Sequence, residues 1–125
     1  ISNSRSWKRR FLSPRSWLVR INDILSSALI IKNFVGDMTI EEFLSDSRTL
    51  RAVAFEFTTM GEAARMIPEE VQRNYPNIPW GRMQGLRNVL IHEYFRLDEE
   101  IIWKTVQEDI PDLIDNLNEI LASNS

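Results

Sequence analysis

Apolar residues along this chain recur at intervals of three and four, the period of a helix, and never settle into the alternation of a strand. Trp17, Ile21, Ile24, Ala28, Ile31 and Val35 form one stripe of an amphipathic helix. Ser13 as N-cap and Pro14 in the first turn open it, and Gly36 ends it. Thr39-Ile40-Glu41-Glu42 has the pattern of a capping box and predicts a short helix through Phe43 and Leu44. Asp46 or Ser47 caps the next helix, whose stripe is Leu50, Val53, Phe57, Met60, Ala64 and Ile67. Gly61 interrupts this run, where glycine costs about 1 kcal/mol relative to alanine; the expected compensation is the close approach of another helix.

Pro68 ends that helix, and Pro68-Glu69-Glu70-Val71 can start another short one. Pro76 and Pro79 bracket a rigid connection from Tyr75 to Trp80, which delivers the chain into the stretch from Pro79 to Asp98. There Leu86, Val89 and Leu90 read as core contacts. Asp98 caps the last helix, with Glu99 and Glu100 complementing its dipole. Its stripe is Ile102, Val106, Ile110, Leu113, Leu117 and Ile120, and Pro111 within it should kink the helix or remove one hydrogen bond. Four main helices with short connections predict an all-α fold, an antiparallel four-helix up-and-down bundle with additional short helices.

The length, 125 residues, suits one domain with a substantial core. Its expected extent is 13–122, preceded by a basic tail at 1–12 that reads as a disordered extension or a remnant of cloning. Net charge is only −3 but is unevenly spread. Residues 1–20 carry Arg5, Lys8, Arg9, Arg10, Arg15 and Arg20 and no acid, whereas residues 98–125 carry eight acids against Lys104 alone. Such a tail can attract nucleic acid, while the overall acidity argues against non-specific wrapping. The chain has no cysteine, so a disulfide framework and a thiolate metal site are excluded, which suits a cytoplasmic setting. No apolar run approaches the ~20 residues that cross a bilayer.

Neither common phosphate-binding glycine loop is present, nor a glycine-flanked serine nucleophile. The single histidine cannot build a multi-histidine metal site within one chain, and no metal or cofactor is expected. Glu69-Glu70 and Glu99-Glu100 are carboxylate pairs that each open a helix and serve most simply as dipole partners. The remaining candidate is Arg87-Asn88-Val89-Leu90-Ile91-His92-Glu93-Tyr94, an arginine, an acid/base group and a phenol in one short tract. At about 100° per residue Arg87 and Tyr94 lie within about 20° of each other, two turns apart, whereas His92 stands about 140° from Arg87. On one straight helix the three do not converge; a distortion or a partner chain would be needed. The same residues could equally make a salt-bridged surface that ends a bundle.

This tract resembles the R-x-x-x-x-H-x-Y motif of the HepT-like toxins of the HEPN superfamily. Gly61-Glu62-Ala63-Ala64, Ile67-Pro68, Tyr75-Pro76, Ile78-Pro79-Trp80 and the run from Arg87 to Pro111 are also similar to that family, so the likeness covers roughly residues 14–121. It implies the HEPN fold and a homodimeric, metal-independent endoribonuclease toxin whose two motifs meet across the dimer cleft. His92 would be the general acid/base in attack of a ribose 2′-OH on the adjacent phosphate, a role most often taken by histidine. Arg87 would hold the phosphate, with Asn88 as a polar aid. The resemblance further implies a cognate minimal nucleotidyltransferase antitoxin that transfers AMP onto Tyr94, placing charge and bulk beside the site. The alternative is a non-catalytic HEPN dimer in which the motif docks nucleotide or RNA for such a partner. A third is a purely structural helical dimer.

Overall fold

The computed structural model describes residues 16–125, so the basic tail at 1–12 and the expected Ser13-Pro14 helix start lie outside the described residues. The first described helix, α1 (Trp17–Val35), is capped by Ser16, whose hydroxyl accepts from the Val19 amide at 3.3 Å. It ends at Gly36, whose positive φ of 51° favours glycine and lets its amide reach the Lys32 carbonyl. Then follow α2 (Ile40–Leu44), α3 (Ser47–Arg65), α4 (Glu69–Asn74) and α5 (Trp80–His92). A 3-10 turn (Tyr94–Arg96) leads into α6 (Glu99–Ser123), and no strand occurs among the described residues.

The caps of α2, α3 and α6 fall where the sequence places them, whereas α1 is capped by Ser16, three residues after the expected Ser13. Thr39 and Glu42 exchange both capping-box hydrogen bonds, at 2.9 and 3.2 Å. Asp46, not Ser47, caps α3, accepting from the Thr49 amide at 3.0 Å and from the Thr49 hydroxyl at 2.7 Å. These contacts hold its carboxyl below the ordinary aspartate range. Asp98 caps α6 through the amides of Glu100 and Ile101. Helix α6 continues through Pro111 as one element. Pro111 and Gln107, whose carbonyl it leaves without a helical partner, are both exposed, so water can satisfy the lost bond.

All of the predicted stripe residues of α3 and α6 are buried, as are those of α1 apart from the half-buried Trp17. Helix α1 packs on α3 and α6, α3 packs on α5, and α2 closes the end between α3 and α6. Phe43 of α2 is buried against Trp103 of α6, with ring centroids 5.5 Å apart. Burial of each such large side chain stabilises the fold by about 1.5–3 kcal/mol. The Tyr75–Trp80 connection is tied down by the Trp80 indole N–H, which donates to the Tyr75 carbonyl at 3.0 Å, and by the buried Ile78. The core expectation fails at Val89, which is exposed, while Leu90 is buried and Leu86 half-buried. Val89 lies about 200° round the helix from Arg87, and it is the Arg87 side of α5 that meets α3.

That meeting is closest at Gly61. A β-carbon there would collide with the Arg87 Cβ and lie 2.6 Å from the Met83 carbonyl oxygen. Gly61→Ala would gain about 1 kcal/mol of helix propensity but would force two backbones apart at a typical cost of about 1–3 kcal/mol. The clash term should win, lowering the melting temperature. Gly85→Ala, in open space on α5, has only the propensity gain and should raise it. Thermal denaturation of the two variants tests the contact, and a Gly61→Ala protein as stable as Gly85→Ala would refute it.

Candidate functional site

Glycine at position 61 lets α5 lie so close that Arg87 emerges directly against α3, beside Glu62. Arg87 Nη2 is 3.1 Å from Glu62 Oε2, and Arg87 Nη1 donates to the Asn88 side-chain oxygen at 2.9 Å. The Arg87 side chain is only 26% exposed, and its Nε is buried with no hydrogen-bond partner among the described residues. Glu62 Oε1 accepts from Arg65 Nη2 at 2.8 Å, so the carboxylate divides its two oxygens between two arginines. An open polar groove of about 600 Å³ runs between α1 and α3 and ends at Glu62 and Arg87, with Arg20, Asp23 and Glu56 on its walls.

His92 is the last residue of α5 and is exposed. No side-chain hydrogen bond or ion pair among the described residues connects it to Arg87 or Tyr94. The straight-helix geometry holds as far as His92 and then fails. Glu93 leaves helical geometry (φ −135°), so Tyr94 sits in the 3-10 turn and not two helical turns beyond Arg87. It nevertheless stays on the α3 side of the molecule, half-buried, with the Arg51 guanidinium 5.4 Å above its ring centroid. Arg51 and Glu62 meet Tyr94 and Arg87 in opposite order along the two helices, which makes α3 and α5 antiparallel. Phe95 meets the Tyr94 ring edge-on at 5.5 Å and is 92% exposed.

The structure therefore brings Arg87 and Asn88 together, sets Tyr94 further along the same seam, and leaves His92 facing outward. Sequence reasoning missed Glu62 and Arg51, the partners of Arg87 and Tyr94 on α3. Glu62 had two available signals, its place beside the interrupting Gly61 and in the family-like run Gly61-Glu62-Ala63-Ala64; Arg51 had none.

A family model described as ribonuclease HepT-like matches residues 24–120. The chain belongs to that family. A relative from Thermococcus cleftensis named probable ribonuclease HepT is 41% identical over 93 residues, covering 74% of this chain and 84% of the relative. A Methanocaldococcus jannaschii protein with a provisional RNase name is 41% identical over 99 residues, covering 79% of this chain and 82% of the relative. One from Caldanaerobacter subterraneus, also provisionally named as an RNase, is 33% identical over 109 residues, covering 87% and 95%. No solved structure matches the chain significantly. As a HepT-like protein the chain has the all-α HEPN fold, and the motif that carried the resemblance lies at the end of α5 and in the turn that follows it.

The Glu62 carboxyl is held below the ordinary glutamate range, first by the Arg65 hydrogen bond and then, against partial burial, by the charges of Arg65, Arg87 and Arg20. A carboxyl depressed in the folded state contributes stability above its unfolded value and loses it as pH falls through the folded value. Glu62→Gln should therefore melt below wild type at pH 7, with the gap closing under acid conditions below about pH 4. Paired melting curves across that range check this; a gap that does not change with pH would contradict the ion-pair account.

Proposed function

We propose that this protein is the toxin of a toxin–antitoxin pair, a metal-independent endoribonuclease acting as a homodimer in the cytoplasm. The observation that carries the reading is the Arg87–Asn88 pair, held against α3 in the tract that matches the family motif. A guanidinium fixed by packing is suited to hold a phosphate and to stabilise charge growing on its oxygens.

In the reaction the ribose 2′-oxygen bonds to the adjacent phosphorus as the bond to the 5′-oxygen breaks, leaving a cyclic phosphate. One imidazole accepts the 2′ proton and another protonates the departing 5′-oxygen. A single chain has one histidine, His92, exposed and away from Arg87. A second copy would supply the second histidine and close the distance that one helix leaves open. Asn88 would help to orient Arg87 or the RNA.

The partner in this reading is a cognate nucleotidyltransferase, which joins the Tyr94 phenol oxygen to the α-phosphorus of ATP and releases pyrophosphate. The AMP phosphate would add negative charge and bulk on the seam that holds Arg87, obstructing RNA. A second reading keeps the dimer and the partner but makes the motif a non-catalytic docking site, and the outward-facing His92 is what favours it.

Cleavage of RNA by protein free of antitoxin and unmodified at Tyr94 separates the two. Arg87→Ala and His92→Ala should each lower cleavage by about 100-fold or more while remaining helical. Activity equal to wild type in both variants, or no cleavage by well-folded wild type, would reject the nuclease reading. Intact mass after co-expression with the nucleotidyltransferase should rise by one or more AMP increments, and Tyr94→Phe should show none.

A further inference from the structure

We infer that Glu62 is the positioning residue of the site: it fixes the Arg87 guanidinium with its phosphate-binding hydrogens still free, so that turnover depends on Glu62 while RNA affinity does not. This rests on the ribonuclease reading above and adds to it a residue outside the motif.

The donor count supports positioning over blocking. Arginine has five N–H donors, one on Nε and two on each terminal nitrogen. Arg87 Nε is buried, one Nη1 hydrogen goes to the Asn88 side-chain oxygen, and Nη2 is ion-paired to Glu62 Oε2 at 3.1 Å. Among the described residues, hydrogens on both terminal nitrogens are left over, and a phosphate can accept from two such donors side by side. Glu62 meets Arg87 through Oε2, while its Oε1 is turned to Arg65, so the carboxylate does not grip both terminal nitrogens. A carboxylate that grips both terminal nitrogens would compete with phosphate; one divided between two arginines holds each at one oxygen.

The anchor acts on a side chain with little other freedom. The collision that any β-carbon at position 61 would have with the Arg87 Cβ shows how tightly the stem is seated on α3. What remains free is rotation of the guanidinium about its last bonds, which the Glu62 ion pair limits together with the Asn88 hydrogen bond. A misplacement of about 1 Å at a reacting group can cost about 100-fold in rate. The charge argument runs in the opposite direction: Glu62 is a negative group in a groove whose other acids are Asp23 and Glu56. Removing it should favour an approaching polyanion.

The two effects give Glu62→Ala an uncommon signature. Its kcat should fall about 10-fold or more, while its Kd for an RNA with a 2′-deoxy substitution at the cleavage position should stay equal or tighten. Glu62→Gln keeps the shape and one acceptor and should recover part of the rate. Glu56→Gln removes a charge from the same groove without touching Arg87, and should tighten binding with kcat unchanged. Parallel losses of kcat, affinity and melting temperature in Glu62→Ala would mean a structural role only. A rise in kcat would mean that Glu62 restrains Arg87. Either overturns the proposal.

A readout independent of cleavage is the Arg87 Nε–H signal in nitrogen-15 spectra, assigned by its absence in Arg87→Lys. It should exchange slowly with solvent in wild type and quickly in Glu62→Ala; equal protection in both would also overturn the inference. Failure of the ribonuclease reading looks different, since Arg87→Ala would then cleave RNA no worse than wild type.

Discussion

The missing side chain at Gly61 sets the separation of α3 and α5, and the site depends on that separation. With a β-carbon at this position the Arg87 stem and the Met83 carbonyl could not keep their places. A larger spacing would carry the Arg87 guanidinium away from Glu62 and would open the seam further along, where Arg51 covers Tyr94. The propensity lost at one glycine is about 1 kcal/mol, small beside the cost of separating two packed helices. Helix α3 tolerates the glycine because Met60, Ala63 and Ala64 around it are buried and hold the helix through packing.

Helix α3 does two jobs with two faces. Leu50, Val53, Phe57, Met60 and Ala64 bury one face and tie α3 into the core. Arg51 and Glu62, along the α5 side, supply the opposite charges that meet Tyr94 and Arg87. The rigid element that carries no motif residue therefore orients those that do. Such support matters because the motif lies where α5 ends: His92 closes the helix, Glu93 breaks its geometry and Tyr94 begins a different turn. Intrahelical hydrogen bonds alone would hold such a terminus weakly.

How much of this could be read in advance follows from the range of each interaction. The stripes of α1, α3 and α6, the Thr39 box and the Asp98 cap are local, decided within a few residues, and the sequence pattern showed them. Gly61 was legible as an anomaly because a glycine amid good helix formers needs a tertiary reason. Val89 was misread because three apolar residues in α5 do not say which side meets the core; the approach of α3 at Arg87 decides it. Arg87, Asn88, His92 and Tyr94 were visible as one tract. Their partners were not, since Glu62 lies 25 positions before Arg87 and Arg51 lies 43 before Tyr94. Contacts that distant leave no periodic trace in a single sequence.

The spacing within the motif also explains why one copy of the site is chemically incomplete in the proposed reaction. Five positions along a helix is about 500° of rotation, so Arg87 and His92 differ by about 140° whatever surrounds them. Packing has committed the Arg87 direction to α3, and His92 is consequently turned outward, where no hydrogen bond or ion pair among the described residues engages it. A distorted helix could bring the two together, but α5 is regular from Trp80 to His92. What remains is a facing surface. A two-fold axis is the economical source of one, because an isologous contact sets each residue against its counterpart and completes both sites at once. The inward arginine and the outward histidine are thus one constraint seen from two sides, and the proposed dimer is the arrangement that satisfies it without bending the helix.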